Sequence, residues 1–184
     1  MSRFERIGLA LERAIARLAR ALGGAAALAV AGIVVVLLVS SVQRYVLSRP
    51  IPITEELAAF LFVSMAFLAL PEGFTSGRQI RILLVWQRLP RRLQGWATIA
   101  GQAASLVVLA VLVHQTWGFA AASHRYGARS YVGNLPEWPW MLLLPGALSV
   151  LMLALFARIL VNLGLVLRGE PVVEAHAQPE EPLP

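Results

Sequence analysis

The chain has 184 residues, 58% of them hydrophobic and 14% charged, with a net charge of +6, and its mean hydropathy is +0.70. Soluble domains carry about 25% charged and about 45–50% apolar residues, so this composition excludes a disordered chain, a collagen and an ordinary soluble enzyme. No Cys is present, which removes disulfides, thiol nucleophiles and Cys-bound metals. All 16 basic residues are Arg and all 10 acidic residues are Glu. They punctuate apolar runs, form no basic arm for nucleic acid, and read as membrane-orientation signals.

Residues 1–20 predict an amphipathic helix. At 100° per residue Phe4, Ile7, Leu11, Ile15, Leu18 and Leu22 fall on one stripe, and Arg3, Arg6, Arg13, Arg17 and Arg20 on another. Such a helix suits the cytoplasmic face of a bilayer, with Arg reaching anionic headgroups; a plain helix continuing into the first span and a bracing contact with a partner subunit are the alternatives. Ala21 to Gln43 then gives 23 uncharged residues, about 34 Å of helix and enough to cross a hydrocarbon core of about 30 Å. This apolar stretch is too long for the core of a cleaved signal peptide, which runs about 7–15 residues.

Three further spans follow. Only 15 uncharged residues separate Glu56 from Glu72, so a second span over about 55–76 must carry Glu72 within it or let its ends reach the interface. Arg78 to Pro90 is apolar on most sides, too short to span, and ends at a helix-stopping Pro. It predicts a short interfacial helix with Arg81 and Arg88 on one face. Between Arg92 and Arg125 lie 32 uncharged residues, and between Glu137 and Arg158 lie 20; these predict spans at about 97–119 and 138–160. From Gly169 onward the chain turns rich in Pro and Glu, and residues 166–184 read as a disordered cytoplasmic tail. The expected fold is all-α and integral to the membrane: four transmembrane helices over 21–165, an amphipathic N-terminal helix and one short interfacial helix.

Arg placement sets the orientation. Twelve Arg fall on the side of the termini and the middle loop, and four on the other side. The positive-inside rule therefore puts both termini in the cytoplasm. Tyr126, Tyr131, Trp138 and Trp140 form the matching outer aromatic belt.

The sequence offers little chemistry. Haem needs axial ligands, commonly His, and His114 is the only His expected within a span; His124 lies near the outer interface, and His176 is in the tail. No phosphate loop, nucleophile elbow or metal-ligand spacing is present. Neither an enzyme nor a cofactor or metal site is expected. Ionisable residues near the membrane remain as candidates, because burying charge in lipid is costly. Glu55 and Glu56 open the second span after Thr54, a possible N-cap. They either complement the helix dipole, or one pairs with an Arg of the same loop or a backbone amide. Glu72 follows Pro71 near the inner end and reads as reaching the interface beside Arg78. His114 reads as a packing residue.

Several motifs occur in order: Arg44-Tyr45-Val46, Thr54-Glu55-Glu56-Leu57, Gly77-Arg78-Gln79-Ile80-Arg81-Ile82, Arg88-Leu89-Pro90, then Pro136, Trp138-Pro139-Trp140 and Pro145-Gly146. Over about residues 25–165 this order resembles the small, DctQ-like membrane subunit of TRAP (tripartite ATP-independent periplasmic) transporters. Ile53 stands where that family commonly has Trp, and Gln79, Ile82 and Leu83 stand where it often has His, Val and Asp. The resemblance implies a large membrane subunit as partner and a periplasmic solute-binding protein that delivers a small organic acid. It also implies uptake driven by an ion gradient in the bacterial inner membrane, with this subunit as a brace and an acid at position 56. A stand-alone four-helix exporter and a membrane anchor for a respiratory enzyme are the competing readings. The first lacks a central acid other than Glu72, and the second lacks His pairs.

Overall fold

The computed structural model describes residues 3–46, 52–76 and 91–167. They form four helices: α1 Arg3–Tyr45, α2 Ile53–Thr75, α3 Arg91–Tyr126 and α4 Trp138–Leu167. Each contains a stretch long and apolar enough to cross a membrane, and no strand occurs among the described residues. The fold is all-α. The segment expected as a short interfacial helix, with Arg81 and Arg88, and the tail from Arg168 onward lie outside the described residues.

α1 runs 43 residues without a break, about 65 Å and twice the hydrocarbon thickness. The N-terminal amphipathic segment is thus the first part of the spanning helix, not a separate one. The sequence explains the continuity. Ile15, Ala19, Ala26 and Ala29 are all buried, at spacings that keep one face. Gly23, also buried, continues that face of small residues, so α1 can lie close to its neighbours. Ile15 packs with Phe74 of α2 and with Ala154 and Ala157 of α4. Ala26 packs with Leu68 and Ala147, flanked by Leu22 and Phe67. The stripe around Ile15 therefore meets protein, while Arg13, Arg17 and Arg20 stay exposed.

α2 passes through Glu72 and ends at Thr75, about 34 Å and sufficient to span. Pro71 sits inside the helix, fully buried, and the Thr75 hydroxyl donates to its carbonyl at 3.0 Å. The N-cap position is Pro52, with no capping side chain. Thr54 is therefore no cap; it lies within the first turn, and its hydroxyl meets Ser40 of α1 at 3.0 Å.

α4 is the central helix, packed against all three others, and α3 packs along α4. Within this pair the Asn162 amide donates to the Gln102 side-chain carbonyl at 3.2 Å, a polar tie between two apolar helices. Pro145 is buried inside α4, and Ser149 donates to its carbonyl at 2.6 Å.

Candidate functional site

The segment between α3 and α4 is a folded loop. Gly127 (φ 59°) and Asn134 (φ 52°) occupy the left-handed region, which Gly adopts freely and Asn tolerates. Arg129 and Pro136 form an isolated antiparallel bridge, and the Ser130 amide donates to the Leu135 carbonyl at 2.9 Å. The Arg129 guanidinium adds a long contact to the Asn134 carbonyl at 3.4 Å.

Glu56 reaches across from the first turns of α2 and closes this loop. The Ser130 hydroxyl donates to Glu56 Oε2 at 2.5 Å. The Gly133 amide donates to the same oxygen at 2.8 Å, and the Val132 amide to Oε1 at 2.9 Å. Ser130 Oγ in turn accepts from the Leu135 amide at 3.3 Å. Both carboxylate oxygens are engaged, by donors 74 to 77 residues away. Charge-assisted hydrogen bonds of this kind are the stronger class. Gly133 permits the approach: a Cβ there would lie 2.5 Å and 2.7 Å from Ile53 Cγ1 and Cδ1, and 3.1 Å from Glu56 Oε2.

Aromatic contacts flank this clasp. Phe60, one turn below Glu56, stacks on Trp140 with centroids 5.5 Å apart and planes 7° apart. His124 meets Trp138 edge-on at 5.1 Å. With the Ser40–Thr54 contact, one end of the bundle is tied across all four helices.

The other sequence candidates do not join this cluster. Glu55 is exposed, as an acid serving only the helix dipole would be. Among the described residues no Arg contacts Glu56; Arg44 is exposed, and Arg49 lies outside them. Glu72 is near the opposite end of α2, half-buried against Gly23 of α1, where any Cβ would overlap its carboxylate. Arg78, the neighbour expected for it, is outside the described residues. His114 is exposed on α3. Sequence reasoning missed Ser130, Val132, Gly133 and the Gln102–Asn162 pair. The Gly133-Asn134 step signals a turn, and amides within spans signal interhelical bonding, but neither names a partner.

Among the described residues no three His, Asp or Glu side chains come together as metal ligands. The clasp joins one carboxylate to one hydroxyl and two amides; its chemistry is that of positioning a loop.

Comparisons with known proteins agree with this architecture. The family model for "Tripartite ATP-independent periplasmic transporters, DctQ component" matches residues 33–164. The "Isethionate TRAP transporter permease protein DctMQ" of Oleidesulfovibrio alaskensis is 29% identical over 92 residues, covering 50% of this chain and 14% of that protein. The match thus spans a small fraction of the relative's length. No solved structure matches. With four spanning helices and a family model covering well over half its length, the chain belongs to the DctQ-component family of tripartite ATP-independent periplasmic transporters.

Proposed function

We propose that this chain is the small permease subunit that braces a large membrane subunit while the latter moves a small organic acid. A periplasmic receptor delivers the acid, and an ion gradient drives uptake. The chain is a structural partner and not an enzyme. The family match over residues 33–164 carries the reading. The kind of site present supports it: among the described residues the best-organised polar cluster is a clasp at one end of the bundle, and none of them forms a broken helix pair of the sort that makes substrate sites in secondary transporters. The relative's name mentions isethionate, itself a small organic anion, so that class of solute fits.

The Arg distribution supports placement in the inner membrane with both termini cytoplasmic. In that orientation the Glu56 clasp faces the periplasm, and the Glu72–Gly23 contact lies towards the cytoplasm. Co-expression with the large subunit of its system, followed by purification through a tag on this chain, tests the reading. The two should elute together at a fixed ratio; a chain that purifies alone as a stable, uptake-competent unit contradicts it.

A further inference from the structure

α3 is the helix least enclosed by its own chain. It packs along α4, and none of its most apolar 18-residue window is buried. Its outward side presents Ala104, Val107, Val111, His114, Gln115 and Gly118, all exposed. Their spacing of three and four places them on one face.

The outward side of α1 is different. From Ala21 to Val39 the exposed side of α1 shows Leu28, Val34, Val35 and Leu38 and carries no polar side chain at all. Between Thr98 and Thr116 of α3, by contrast, the polar side chains fall into two groups. Thr98, Ser105 and Thr116 donate back to carbonyls of their own helix, and Gln102 accepts from Asn162. His114 and Gln115 have no hydrogen-bond partner among the described residues. About 15 Å of helix separates Gln115 from Arg125, so the pair stands within the hydrocarbon, where an unsatisfied polar group is strongly disfavoured. Ala104 and Gly118 add a shallow surface that a second helix can approach closely.

Resting on the small-subunit reading above, we propose that this face of α3, centred on His114 and Gln115, docks against a membrane helix of the large permease subunit. That helix presents a hydrogen-bonding side chain at the level of the pair and small residues on either side. The DctMQ relative supports this occupant over a second copy of the chain. Its matched region is 14% of a longer permease polypeptide, so the remainder of that permease is its standing neighbour.

The test uses the co-expressed complex and exploits the lack of cysteine. Single cysteines at Val107, Val111 and Gly118 on α3, and at Val35 on α1 and Phe62 on α2 as controls, are labelled with benzophenone maleimide and illuminated. Adducts to the large subunit are expected from the α3 positions and not from the controls. A double variant, His114→Leu with Gln115→Leu, should lower recovery of the large subunit about three- to tenfold, with the chain's own membrane level unchanged. Adducts from α1 or α2 but not α3, a dimer of the chain crosslinked through α3, or unchanged recovery of the double variant would each overturn the proposal while leaving the small-subunit reading standing. Failure of the unmodified complex to co-purify would remove that reading, and this proposal with it.

Discussion

Glu55 and Glu56 are adjacent acids in one helical turn, yet they do different things. Glu55 is exposed in the first turn, where it complements the helix dipole, whereas Glu56 holds a loop through one hydroxyl and two amides. Glu56→Gln keeps the shape but swaps an acceptor oxygen for a donor NH₂ group and removes the charge. Amide exchange across residues 128–137 should therefore speed up in Glu56→Gln and stay unchanged in Glu55→Gln. Equal protection in both variants would mean that the clasp does not order the loop. Gly133→Val places a side chain against Ile53; overpacking of this kind costs about 1–3 kcal/mol and should appear as a lower melting temperature in detergent. The sequence narrowed the acid to two positions and left dipole and pairing open. It could not supply the partner, because Ser130 and Gly133 lie far along the chain, and pairing at that distance depends on how α2, α3 and α4 assemble.

At the level of elements, spans were legible because each is an apolar run bounded by Arg or Glu, and membrane thickness fixes the length needed. The shortest uncharged run resolved as physics requires: α2 carries Glu72 inside it and reaches Thr75. Whether the amphipathic segment joins the first span was left open by the sequence, since the change from an Arg-striped to an apolar helix fits either a separate surface helix or one continuous helix; two adjacent glycines sit at the join. Tertiary packing overrides them, because a small residue is what the α1–α2 contact needs. Gly23 faces Glu72, whereas Gly24 has open space beside it. Gly23→Val should then destabilise the bundle by about 1–3 kcal/mol, while Gly24→Val stays close to the parent in thermal melts. Equal behaviour of the two variants would argue against close packing at Gly23. The Gln102–Asn162 bond joins α3 to α4; Asn162→Leu should cost about 0.6 kcal/mol, the average for hydrogen bonds between membrane helices, and no more than about 1.7 kcal/mol.

As a whole, the described residues form a bundle tied at one end and least enclosed along α3, which fits the proposal that a larger subunit holds it. The proposed orientation rests on Arg placement alone and is checked with cysteines introduced singly at Ser2 and Gln178. Neither should react with an impermeant maleimide added outside intact cells; labelling of either overturns the orientation. The central claim, that this chain supports transport without performing it, is tested most directly by uptake into proteoliposomes under an imposed ion gradient. Vesicles would hold the large subunit with this chain, the large subunit alone, or this chain alone, each with the loaded receptor outside. Solute should accumulate only in the first set. Gradient-driven accumulation in vesicles holding this chain alone would contradict the account.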